Sequence, residues 1–220
     1  MKNCRHIDFS VFVRQLQNHE FASLPGLESQ MRMAPLLRRD QIRTRGKSGK
    51  VVNSSILILL YPDMTNNVHT VLIQRPRYNG VHSGQISFPG GRHEPGDQNM
   101  QETALREAHE EVGVDPDTVK IVGQLTDLYI PPSNYLVSSF VGIAGTRPSF
   151  APDRKEVAHI LELPVTAFLD RNNLREIPIV MSGGECLETP CFLINDHTIW
   201  GATAMIMAEF VDLATGIMAS

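Results

Sequence analysis

The chain has 220 residues, enough for one domain with an extension and for a core that needs no disulfides. Its 42% hydrophobic and 20% charged residues are ordinary for a soluble globular protein, and a formal net charge of -4 argues against a protein that wraps nucleic acid or coats an anionic membrane. The three cysteines, Cys4, Cys186 and Cys191, match no zinc spacing and contain no CxxC, so reduced thiols in a cytoplasmic protein are expected.

The N-terminal stretch lacks a signal-peptide apolar run, and the longest unbroken apolar stretch, Ile56 to Tyr61, is too short to span a bilayer. Phe9, Val11, Phe12, Leu16 and Phe21 fall loosely at helical spacing. A basic run follows through Arg38, Arg39, Arg43, Arg45, Lys47 and Lys50. Residues 1–50 therefore read as a helical extension with a basic linker, and 51–220 as the main domain. The basic run is either a solvated linker or a set of arginines that meet a phosphate-bearing ligand. Apolar surface on the extension would suit a homodimer.

From Val51 onward the pattern favours strands. Ser54–Tyr61 and Val68–Arg75 flank turn residues 62–67 and predict a β-hairpin. Gln85–Phe88 is a short strand ended by Pro89-Gly90-Gly91. Asn99 with Glu102 three residues on, and Gly113 at the far end, predict a helix over about Met100 to Val112. Further strands are expected at Val119–Leu128, Leu136–Ile143 and His159–Leu163, and an amphipathic helix at Thr203–Leu213. Strands with a few helices and no regular βαβ alternation make an α+β fold with a mixed sheet.

The helix after the glycines carries the chemistry. At about 100° per residue, Glu107, Glu110 and Glu111 share an arc of about 100°, beside an apolar stripe of Ala104, Leu105, Ala108 and Val112. Like charges at this spacing repel, and the helix C-terminus disfavours anions. A divalent cation resolves the conflict, because magnesium takes carboxylate, water and phosphate oxygens. Arg106 is spaced to orient the acids, and the glycines let a backbone carbonyl approach the metal. Taken alone, the helix could also be a solvated acidic face.

These residues resemble the Nudix hydrolase box: Gly91 opens it, and Arg106-Glu107-Ala108-His109-Glu110-Glu111-Val112-Gly113-Val114 closes it. The early acid is Asp97, and eight residues rather than seven separate it from Arg106. That variant, with Gly84-Gln85-Ile86-Ser87-Phe88-Pro89-Gly90-Gly91 upstream and Ile199-Trp200-Gly201-Ala202-Thr203-Ala204 downstream, is similar to the coenzyme A pyrophosphatase branch. The branch signature's first Arg is met by Arg75; its second is replaced by Gly80.

The resemblance implies an α/β/α sandwich around a mixed sheet. It also implies magnesium, or manganese in its place, held by Glu107 and Glu111 with Glu110 and the Gly91 carbonyl. The implied activity is hydrolysis of a phosphoric anhydride in a small nucleotide diphosphate, coenzyme A or acyl-coenzyme A first. The products would be 4′-phosphopantetheine and 3′,5′-ADP. ADP-ribose, a dinucleoside polyphosphate, and a non-catalytic nucleotide-binding module stay open as alternatives. Glu110 and Glu156 are candidate bases, while Arg75, His82 and Tyr135 are candidate substrate contacts. No HExxH, GxSxG, GxGxxG or P-loop pattern competes with this reading.

Overall fold

A computed structural model describes residues 6–21, 23–43, 51–77, 82–180 and 184–219. Its centre is β1 (Val52–Pro62), a strand buried on both faces. Leu57, Leu59 and Tyr61 enter one apolar layer, while Ile58 and Leu60 enter the opposite one. This period-two split is what a strand sandwiched between helical layers requires. On one side β1 pairs antiparallel with β2 (Val68–Gln74), closing the expected hairpin; on the other it pairs parallel with β7 (Tyr135–Ala144).

The large sheet runs β3 (Ile86–Ser87), β2, β1, β7, β5 (Val119–Gln124). Three more strands attach to it: β4 (Gly90–Arg92) to β1, β6 (Leu128–Ile130) to β7, and β8 (His159–Pro164) to β2. The single strand expected over Val119–Leu128 is therefore two strands, separated by residues 125–127.

One face of the sheet carries α4 (Met100–Val112), packed through Ala104, Ala108 and Val112. Asn99 Oδ1 accepts from Glu102 N at 2.9 Å, and Gly113 takes φ 73° in the left-handed region, so both ends match the reading from sequence. The other face carries α6 (Gly201–Ala219). That helix is longer than expected and is not amphipathic, for every residue from Met205 to Phe210 is buried. By length and composition it could also cross a membrane, but most of it lies inside the core. A helix buried all round shows no one-sided pattern to read from sequence.

The N-terminal residues share that core. Phe9, Phe12 and Leu16 of α1 (Phe9–Asn18), Met31 of α2 (Gly26–Met31) and Ile42 of α3 (Arg39–Arg43) are buried with the α6 residues. Asp8 caps α1 by accepting from Val11 N at 2.9 Å, and Asn67 Oδ1 accepts from Ile7 N at 3.0 Å. The fully buried Glu209 of α6 accepts from the backbone N–H groups of Gly26 and Thr126, each at 3.2 Å, and from Gln30 Nε2 at 2.6 Å. One turn on, Asp212 pairs with Arg32 at 2.7 Å.

After the short helix α5 (Val165–Leu169) comes a three-stranded antiparallel sheet that the sequence reading does not anticipate. It consists of β9 (Leu174–Val180), β10 (Cys186–Ile194) and β11 (His197–Trp200), and leads directly into α6.

Candidate active site

Gly90 and Gly91 lie in β4, paired to Ile56 and Ser55 of β1. A Cβ on Gly90 would run into the Ser55 carbonyl oxygen and come within 2.7 Å of Ile56 Cα, so only glycine lets the two chains lie this close. The Gly90 N–H donates to Glu111 Oε2 at 2.8 Å, fixing the glycine strand to α4. A Cβ on Gly91 would lie 2.5 Å from the Glu107 carboxylate, so Gly91 leaves that acid its room.

The three acids are not equivalent. The Glu111 side chain is 2% exposed, that of Glu107 12%, and that of Glu110 56%. Burial pushes the Glu111 carboxyl up to about 7 against the opposing pull of the Gly90 hydrogen bond and Arg75, with Glu107 and Glu156 adding like-charge repulsion. Burial raises Glu107 as well, opposed by Arg106 and reinforced by Glu110 and Glu156.

Arg106 is the hub of this end of the site. Its guanidinium donates to Asp97 Oδ1 at 2.8 Å and Oδ2 at 3.1 Å, to Glu110 Oε2 at 2.9 Å and to the Arg92 carbonyl at 3.0 Å. It also pairs with Glu107 Oε1 at 3.0 Å. The hydrogen bonds from Arg106 hold the Asp97 carboxyl well below the usual carboxylate range, and Asp97 in turn raises the guanidinium. Asp97 Oδ2 also accepts from Thr103 Oγ1 at 2.8 Å and from Glu94 N at 3.0 Å. The unusual Asp97 thus anchors the arginine that touches two of the three acids.

These residues open onto a cavity of about 960 Å³ bordered by Glu107, Glu110, Glu111 and Glu156. Arg75, His82 and Tyr135 border it too, so every site residue singled out from the sequence faces or adjoins one space. Arg75 donates to the Gly90 carbonyl at 3.4 Å and stands 3.7 Å from Glu111, which places it on the acid end. His82 takes φ 75° and meets Gln85 Oε1 at 2.9 Å, a local turn contact at the cavity edge. Tyr135 hydrogen-bonds with Arg92, whose guanidinium lies 5.3 Å from the ring centroid. Gly80 lies outside the described residues.

Several lining residues escape a reading by motif. Arg92 simply follows the glycines, and Asp196, His197 and Thr198 come from the last hairpin of the unanticipated second sheet. Pro35, Arg38 and Ile42 reach the cavity from the N-terminal segment. Arg38 alone carried a signal, through the basic run.

Among the described residues, no three acidic, histidine or cysteine side chains form a ready-made metal cage. The reason is visible: Arg106 draws Glu107 and Glu110, while Gly90 holds Glu111. The donor set nonetheless fits a hard divalent cation. The acids are oxygen donors, burial raises the carboxyls of Glu107 and Glu111 beside one another, and the cavity gives access.

Residues 53–178 match the NUDIX domain family, which is more than half of the chain. Human mitochondrial coenzyme A diphosphatase NUDT8 is 33% identical over 135 residues, covering 61% of this chain and 57% of that protein. The Nudix hydrolase NudL of Yersinia enterocolitica is 30% identical over 176 residues, covering 80% of this chain and 89% of that one. Among solved structures, the Nudix hydrolase RenU of M. smegmatis superposes with a TM-score of 0.51 at 13% identity, over 76% of this chain and 87% of that one. At that identity the match speaks for the fold. The chain belongs to the Nudix hydrolase family, whose members use divalent metals and act on small nucleotide-diphosphate substrates.

Proposed function

We propose that this chain hydrolyses the diphosphate of coenzyme A or an acyl-coenzyme A, giving 4′-phosphopantetheine and 3′,5′-ADP, with magnesium or manganese as cofactor. The observation that carries the reading is the Gly90–Glu111 hydrogen bond, which sets the glycine strand and the acidic helix side by side on one cavity. The likeness to a coenzyme A diphosphatase supports the choice of substrate.

Glu107 and Glu111 would hold the metal, with Glu110 and the Gly91 carbonyl beside them. When bound, the metal supplies positive charge to the diphosphate oxygens and Lewis acidity toward water. Arg106 sets the positions of Glu107 and Glu110, and Arg75, 3.7 Å from Glu111, would bind a phosphate oxygen. A water oxygen forms the new bond to phosphorus, the bridging P–O bond breaks, and a carboxylate accepts the water's proton. Glu156 would be that acceptor: both acids border the cavity, but Glu110 is held by Arg106. His82 and Tyr135 would contact the remainder of the substrate.

The test is incubation of purified protein and magnesium with coenzyme A, ADP-ribose and a dinucleoside polyphosphate, with products identified by mass. Cleavage of coenzyme A to the two named products supports the reading. Cleavage of ADP-ribose with coenzyme A left intact overturns it.

A further inference from the structure

We propose that Arg38 recognises a phosphate monoester that the substrate carries in addition to its diphosphate. The inference deepens the function proposed above and rests on its reading of the substrate as a nucleotide diphosphate.

The cations around the cavity and along the N-terminal segment differ in what already engages them. Arg106 is shared among Asp97, Glu107 and Glu110, Arg75 lies between the Gly90 carbonyl and Glu111, and Arg92 is bonded to Tyr135. In the N-terminal segment, Arg32 pairs with Asp212 at 2.7 Å, Arg43 with Glu28 at 3.0 Å, and Arg39 donates to the Ala34 carbonyl at 3.4 Å. Arg38 also borders the cavity and is only partly exposed, yet among the described residues its side chain has no ion pair or hydrogen bond. A guanidinium in a cavity wall with no acid paired to it among the described residues suits an anion, and its planar fork matches phosphate oxygens.

Its place argues for a group other than the diphosphate. Arg38 also borders a smaller neighbouring cavity of about 270 Å³, walled by Pro131, Pro132 and Leu187, which none of the α4 acids reaches. Glu185 borders that smaller cavity without pairing to Arg38. The backbone that carries Arg38 is fixed through Glu209 with Gly26 and Gln30, and through Asp212 with Arg32, so little order is lost on binding.

The test compares the full chain with Arg38→Ala and Arg38→Lys. Calorimetric titration without metal measures binding of 3′,5′-ADP against 5′-AMP, which differ only in the second phosphate monoester. Hydrolysis with magnesium measures the kcat/KM ratio of coenzyme A over 3′-dephospho-coenzyme A. The wild type should favour the 3′-phosphorylated partner of each pair, and Arg38→Ala should shrink that preference roughly ten- to a hundredfold. Arg38→Lys should keep part of it. If Arg38→Ala leaves both preferences unchanged, or weakens 5′-AMP as much as 3′,5′-ADP, the assignment is overturned. If the wild type cleaves neither coenzyme, the substrate reading falls separately, and the titration still decides the role of Arg38.

Discussion

The carboxylate of Glu111 accepts a 2.8 Å hydrogen bond from the Gly90 backbone across 21 residues of sequence, although the acid is almost wholly buried. Burial raises its carboxyl to about 7, so the folded chain holds a proton that the unfolded chain releases near the usual glutamate value. Stability from this group is therefore lost as pH rises from about 4.5 to about 7. In chelator at pH 8, Glu111→Gln should be more stable than wild type by roughly 2 kcal/mol, and near equal to it at pH 4.5. Thermal unfolding at the two pH values checks this. The same variant should lose magnesium-dependent turnover. Equal stability of the two proteins at pH 8 would contradict the assignment of a buried carboxyl raised by desolvation.

Gly90→Ala tests the close approach of β4 to β1. The added methyl meets main-chain atoms of Ser55 and Ile56, which cannot swing aside. A loss of about 1–3 kcal/mol is expected in urea unfolding, with turnover falling as the glycine strand shifts. Gly96→Ala is the control, since a Cβ there meets open space, and it should leave stability nearly unaltered.

Asp97→Asn should uncouple Arg106 from its anchor. The Asp97 carboxyl is held low by Arg106, so its contribution is present above the usual aspartate range and lost as pH falls through the depressed value. The variant should be about 1–3 kcal/mol less stable at pH 7, with the gap narrowing on acidification below about pH 4. Turnover should fall while substrate binding changes less, because Asp97 acts through Arg106 on Glu107 and Glu110. Denaturation curves across pH, with kcat and KM measured separately, check both parts.

Two acids compete for the role of proton acceptor. Arg106 occupies Glu110, whereas Glu156 borders the cavity with no ion pair among the described residues. Glu156→Gln should therefore lower kcat by roughly 10²–10⁴-fold. An undiminished kcat in that variant would return the role to Glu110.

Glu209→Gln probes the joint between the N-terminal segment and α6. The buried carboxylate accepts from two backbone N–H groups and Gln30, and an amide would turn a donor toward one of them. A cost of about 1–3 kcal/mol is expected, with earlier protease cleavage in the first forty or so residues than in wild type. Limited proteolysis followed by mass mapping checks it.

The legible parts of the sequence were those governed by local rules. Asn99 and Gly113 mark the ends of α4, the turn residues after Tyr61 mark the first hairpin, and the spacing of Glu107, Glu110 and Glu111 marks the acidic face. The second sheet was hidden because β9 is largely exposed, and Pro178 and Pro190 sit inside paired strands where a proline argues against a strand. The inequality of the three acids was hidden too. It depends on Gly90, Arg92 and Asp97 arriving from other elements, and helical spacing carries none of that. Of the apolar positions at helical spacing, Phe9, Phe12 and Leu16 are buried in α1, Val11 is exposed and Phe21 lies beyond the helix; the spacing did not show the partner that buries the three.

The joint at Glu209 also orders events in time. Its hydrogen bond to Gly26 spans 183 residues, so the segment bearing Arg38 is synthesised long before the carboxylate that fixes it exists. During translation that segment has to wait, with its apolar residues open to chaperones, until α6 has left the ribosome. The wall of the cavity that would read the substrate is thus made well before the residue that sets it in place.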